Sequence, residues 1–297
     1  MQQSTIASNN KNKIINFQVS LIFLRLNWKK LLIAFCISYF LVMIGHAILP
    51  LSPHIANIKN HSDMAIKFGF PVIAGIYMFF TYILLIGSII LLIPFINKDL
   101  KSLLFKLSIA ISAIWFIGFF EPLFMDEQYL YLLIMAINDS IPTFLLIFFI
   151  AKYSKIFQNN SNEKNKNNNL ISTLLPAIII IISFVGIRLI SYYLIKMKSI
   201  ITDRPIETIL WTVLFGILIG SIYTIYQKME YKTYWFPKAF RFAVIFFGIN
   251  WTMYNFFVII LLRESFADFL LYRAIFDIFA IFIGISLGEL LKNKINS

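Results

Sequence analysis

Residues 70–95, FPVIAGIYMFFTYILLIGSIILLIPF, contain no charged side chain. A helix rises 1.5 Å per residue, so roughly 20 mostly apolar residues cross the hydrocarbon core of a bilayer. Strands of a membrane barrel would instead alternate apolar and polar side chains over roughly 10 residues. Leu84 to Ile93 does not alternate, and the stretch reads as a transmembrane helix. By the same rule seven more spans follow: 31–49, 103–124, 128–151, 170–195, 207–226, 240–262 and 266–290. The expected fold is all-α, a polytopic bundle of about eight spans.

The composition agrees. The chain is 60% hydrophobic and 17% aromatic, with 13% charged residues and a mean hydropathy of +0.81 over 297 positions. A soluble domain carries roughly 25% charged residues, so an ordinary cytosolic protein and a disordered chain are both excluded. A single cysteine, Cys36, excludes a disulfide scaffold or a cysteine-rich zinc module.

The formal charge of +12 suggests nucleic acid until the charges are placed. With the N-terminus inside, 18 of the 26 Lys and Arg fall on that side, 6 on the other and 2 within spans. Cytoplasmic loops collect Lys and Arg, so the basic balance marks orientation and no nucleic-acid partner is expected. Both termini are expected in the cytoplasm, in a cell (plasma or inner) membrane. Trp28, Tyr153, Tyr226, Tyr231 and Trp235 lie at the basic end and Tyr129, Tyr131, Tyr192 and Tyr193 at the other, matching headgroup belts. Residues 14–26, IINFQVSLIFLRL, read as an interfacial helix or as an early extension of the first span.

Residues 158–169, QNNSNEKNKNNN, cannot build a core. They divide the chain into an N-terminal segment with the interfacial helix (1–30), a four-span half (31–152), an Asn/Lys-rich cytoplasmic linker (153–169), a second four-span half (170–291) and a tail (292–297). The halves share faint similarities. Leu85-Ile86-Gly87-Ser88-Ile89 returns as Leu218-Ile219-Gly220-Ser221-Ile222, and Leu132-Leu133-x-x-Ala136-Ile137-x-Asp139 as Leu270-Leu271-x-x-Ala274-Ile275-x-Asp277. Trp115 and Trp251 fall in corresponding spans. Four spans per half make such repeats parallel, related by an axis along the membrane normal.

Ionisable groups at membrane depth cost roughly 2.5–3.5 kcal/mol each on insertion scales and mark functional sites by default. Asp139 and Asp277 lie midway along spans four and eight, Arg273 one turn before Asp277, and Arg188 in the outer third of span five. His46, Glu121, Glu207 and Asp268 lie nearer the outer edge, and Asn250 and Asn255 add amides to span seven. The expectation is an outward-facing pocket narrowing to both aspartates, lined by Asp139, Arg188, Arg273, Asp277, Asn250 and Glu121. Asp139 would be its titratable group, and the arginines would receive an anion. In Asn138-Asp139-Ser140-Ile141-Pro142, Pro142 frees the Asn138 carbonyl and a break or kink would aim these groups at one place. The competing reading is a set of structural clamps, Arg273 with Asp277 and Arg188 with Asp139.

Gly284-Ile285-Ser286-Leu287-Gly288 matches G-x-S-x-G, but lacks the strand–turn–helix context that exposes a nucleophile. Small residues at spacing four read better as a helix-packing face. His46, His54 and His61 share the outer side with Asp63, at spacings that fix no common helical face. They read as part of a solvated loop region, and no metal or other cofactor is expected. The expected function is a small-molecule or ion permease, or an accessory membrane subunit of one. The alternatives are a membrane enzyme acting on a lipid-linked substrate at the outer leaflet, and a non-catalytic sensor, immunity or assembly protein. Expected partners are membrane lipids, the small-molecule or ion substrate, and a second copy or a partner membrane subunit.

Overall fold

The computed structural model describes residues 2–49, 56–96, 100–121, 129–153, 170–197, 199, 201–228, 230, 234–264 and 266–296. Among them the protein is a bundle of helices without strands. The only strand-like pairings among the described residues are two isolated antiparallel bridges, His61 with Leu262 and Ile96 with Glu230. The elements are α1 (Gln2–Ile48), a short α2 (Asp63–Phe68), α3 (Phe70–Leu92), α4 (Leu100–Gly118), α5 (Tyr129–Tyr153), α6 (Leu170–Tyr193), α7 (Pro205–Gln227), α8 (Trp235–Phe240), α9 (Ile249–Leu261) and α10 (Phe276–Asn296).

Eight segments are long and apolar enough to cross a membrane: Gln18–Ile48, Phe70–Phe95, Leu100–Gly118, Leu130–Tyr153, Ser172–Tyr193, Pro205–Gln227, Trp235–Leu261 and Asp268–Ile295. The chain is thus a polytopic membrane protein. Its outward surfaces carry large apolar side chains, with Phe40 60% and Ile182 65% exposed, as lipid-facing helices require. The helix bounds bear on three of the sequence readings. Residues 14–26 belong to the same unbroken helix as the first span. The third span ends at Gly118, so Glu121 sits in the turn beyond it. The linker 158–169 and His54 lie outside the described residues.

Two stretches depart from α-helical winding, and nothing in the sequence announces them. Arg241–Gly248, between α8 and α9, and Ala267–Ile275, before α10, are wound as π-helix. Such runs are rare and concentrate at functional sites. Asn250, just past the first, turns its amide back onto the Phe246 carbonyl at 2.6 Å.

Within the first half, α1 packs on α3 and α5, and α4 on α5; within the second, α6 packs on α7 and α10, α8 and the π stretch after it on α10, and α9 on the π stretch before α10. Across the halves α3 meets α9, and α4 meets α7. The backbones of α6 and α10 approach closely. A Cβ added to Gly284 would lie 2.7 Å from the Ile180 Cα, and one on Gly288 2.6 Å from the Pro176 Cα. The two glycines of the G-x-S-x-G match are therefore a packing face. Its serine is engaged too: Ser286 donates to the Phe282 carbonyl at 2.7 Å.

At the basic end, buried ion pairs tie the helix ends together. Lys238 meets Glu289 at 3.0 Å, and Tyr223 donates to Glu289 at 2.8 Å. Glu230, between the sixth and seventh spans and 6% exposed, pairs with Arg241, whose guanidinium also lies 4.3 Å from the Phe95 ring centroid. Burial pushes the Glu230 carboxyl up from 4.5 to about 7, against the pull of Arg241 and Lys238. The folded state therefore binds this proton more tightly than the unfolded chain does. Stability is undiminished below the unfolded value, falls as pH rises through the interval up to about 7, and then levels off. The full cost is on the order of 3 kcal/mol at 1.36 kcal/mol per pH unit. Thermal midpoints in detergent between about pH 5 and pH 8 test this: the wild type should lose stability relative to Glu230→Gln as pH rises. Parallel curves would refute it.

Candidate functional site

The residues singled out in the sequence separate into two groups. The first is an ion cluster that joins Arg188, Arg273 and Asp277 of the second half to Glu121 of the first. Arg188 of α6 grips Asp277 of α10 bidentately: its Nε donates to Oδ1 at 2.6 Å, and its Nη2 to Oδ2. Its Nη1 donates to Glu121 Oε1 at 2.5 Å and to the Tyr192 hydroxyl at 3.2 Å. Arg273 approaches the other Glu121 oxygen at 3.1 Å, and the Trp251 indole donates to Asp277 at 2.7 Å. All four charged side chains are at most 2% exposed. Two guanidiniums facing two carboxylates leave no formal net charge, which is how buried charges are tolerated.

This differs from the clamps the sequence suggested. Arg188 pairs with Asp277 and Glu121, and Arg273 with Glu121. Glu121, in the turn after the third span, reaches this position because its backbone N–H closes onto the Gly118 carbonyl at 3.0 Å. Asn250 is 1% exposed, and its Oδ1 has no hydrogen-bond partner among the described residues.

The second group surrounds Asp139 on α5. His46 Nε2 lies 2.8 Å from Asp139 Oδ1, bridging α1 and α5. Asn138 donates to the same oxygen at 3.2 Å. The approach depends on Gly45, since a Cβ there would collide with the Asn138 amide oxygen at 1.6 Å. Pro142 does not break α5, which runs through it to Tyr153. The neighbouring carbonyls are served by side chains: Thr143 donates to the Asp139 carbonyl and Ser112 to that of Ser140, both at 2.8 Å.

His46 also lines a cavity of about 170 Å³ between α1, α3, α5 and α9, together with Met43, Phe70, Met78, Met135 and Phe257. On its far side Phe257 walls a second void of about 10 Å³, bounded by Asp139, Trp115 and Tyr254, close to the volume one water needs. The Trp115 indole N–H and the Tyr254 hydroxyl are buried and without a hydrogen-bond partner among the described residues. The cavity shares Met43 and Pro71 with a shallow groove of about 390 Å³ between α1 and α3, also lined by Phe79 and Phe80. The groove and the cavity thus adjoin at Met43 and Pro71.

The two aspartates do not share one pocket. Tyr254, beside Asp139, stacks on Trp251, beside Asp277, with parallel rings 5.0 Å apart. The single outward pocket expected from the sequence is two separate sites, one packed with paired charges and one open to a cavity. Sequence reasoning missed Met43, Met78 and Met135, because one methionine among Leu and Ile reads as apolar filler. Only the i,i+3 spacing of Met43 and His46 hinted at a shared face. His61 packs its ring on Phe70 at 4.6 Å. Among the described residues no three His, Cys, Asp or Glu side chains gather as metal ligands. No family model, curated protein or solved structure matches the chain.

Proposed function

We propose that the protein is a permease for a small solute, loaded at the cavity beside His46 and Asp139. One observation carries the reading: a cavity of about 170 Å³ ends on a polar pair at membrane depth. Ionisable groups there are expensive and are kept where they meet a substrate or water.

The helix neighbours support a two-half carrier. The contacts between spans α1–α3, α1–α5 and α4–α5 of the first half have counterparts in the second, and the cross-contacts α3–α9 and α4–α7 exchange under the same swap. We read this as a parallel duplication. Asp139 and Asp277 then occupy equivalent places, each joined to a basic group on the first helix of its half, His46 and Arg188. The second-half copy has become a clamp, while the first-half copy kept its cavity. The lateral groove favours a second reading, an enzyme or binding protein that admits a lipid-linked substrate from one leaflet.

Alternating access separates the two without knowledge of the substrate. Ala74 lines the cavity and is partly exposed. In a Cys36→Ala background, Ala74→Cys should react with a membrane-impermeant cationic thiosulfonate in right-side-out and in inside-out vesicles alike. Labelling from one face only would overturn the permease reading in favour of the one-sided site. Labelling from neither would leave a packed structural protein.

A further inference from the structure

The cavity has a chemistry more specific than its apolar character suggests. Its lining includes three methionines, Met43 from α1, Met78 from α3 and Met135 from α5, and one histidine, His46. The chain has nine methionines in 297 residues. Spread evenly, they would place fewer than one among the nine side chains that line this cavity among the described residues. Leu or Ile would fill the same space with the same burial energy. What methionine adds is a polarizable sulfur.

The imidazole is arranged as a metal ligand is. Metal-binding histidines almost always give their second ring nitrogen to a carboxylate or carbonyl, which fixes tautomer and ring orientation. His46 has that partner in Asp139 at 2.8 Å through Nε2, and its Nδ1 makes no hydrogen bond among the described residues. Thioether and imidazole donors in a water-poor cavity select a soft ion, whereas Mg²⁺ and Ca²⁺ need carboxylate or carbonyl oxygens. Among soft ions a single positive charge suits the single carboxylate that stands behind the imidazole.

We infer that the cavity is a binding site for Cu(I), held by the thioethers of Met43, Met78 and Met135 and by Nδ1 of His46, with Asp139 orienting the ring. This rests on the cavity being the loading site proposed above and names the class of its cargo. Asp139 acts through His46 and is a positioning residue.

The test uses the full-length protein in detergent, with Cu(I) supplied as its bicinchoninate complex. The wild type should withdraw one Cu(I) per chain, and X-ray absorption should show sulfur neighbours around the metal. Met78→Leu and Met135→Leu conserve volume and should fold, which size exclusion checks. Each should bind at least about tenfold more weakly, since losing even an outer-shell partner costs about 10–100-fold. Asp139→Asn should fall in that same 10–100-fold range while the sulfur signal persists. A wild type that withdraws no more Cu(I) than the triple variant Met43→Leu, Met78→Leu, Met135→Leu overturns the proposal. So does a bound metal with only nitrogen and oxygen neighbours. If Cu(I) fails to bind while Ala74→Cys still labels from both faces, the cargo is wrong and the permease stands. If Cu(I) binds and labelling is one-sided, the metal site stands and the permease falls.

Discussion

Arg188→Met should lose most of its folded yield in detergent, because it strands Asp277 and part of Glu121 as buried charges. Breaking one side of a buried pair costs about 3–5 kcal/mol, whereas removing both charges is close to neutral. The double variant Arg188→Met, Asp277→Asn should therefore recover most of the loss. Its amide oxygen can still accept from the Trp251 indole, and Glu121 keeps Arg273 as its partner at 3.1 Å. Thermal midpoints and monodispersity on size exclusion are the measurements. If Arg188→Met alone melts like the wild type, water reaches these charges and the cluster is a pocket, as the sequence first suggested.

Trp251→Ala should cost about 3–5 kcal/mol, the range for deleting a fully buried aromatic. Trp251 is 0% exposed, stacks on Tyr254, and packs on Phe215 at 4.8 Å and Phe247 at 5.8 Å. Trp251→Phe keeps a ring there and gives up the hydrogen bond to Asp277. Its cost should stay within about 1.5–3 kcal/mol, the worth of a hydrogen bond to a charged group. The Phe variant should thus melt between the wild type and the Ala variant. Equal midpoints for both variants would show that the indole N–H, rather than the ring stack, holds this part of the bundle. The result also bears on the site, because Trp251 and Tyr254 are the partition between the clamp and Asp139.

Run length and composition settle a good deal in this chain. Twenty apolar residues in a row must be helical in a bilayer, since no other local structure satisfies its own backbone, and the eight spans follow from counting. Asp139, Asp277, Arg188 and Arg273 stand out for a related reason: a charge among apolar neighbours has to be accounted for by something. The Gly284 and Gly288 spacing was legible as packing because only small residues let backbones approach so closely.

Partner choice was not legible. Whether Arg188 meets Asp139 or Asp277 depends on how α6 is rotated against α5 and α10, and in an apolar solvent the outward faces carry as many Ile and Leu as the inward ones. Periodicity then loses its power to orient a helix. Glu121 enters the cluster only through the turn after α4, and His46 reaches Asp139 only because Gly45 leaves room for Asn138. The π stretches have no residue type to announce them. Three methionines from three helices become one cavity wall only once those helices are side by side. One-dimensional hydrophobicity determines that the chain crosses the membrane eight times; the lateral arrangement of those crossings, set by close packing, decides which charges are locked together and which face an open space.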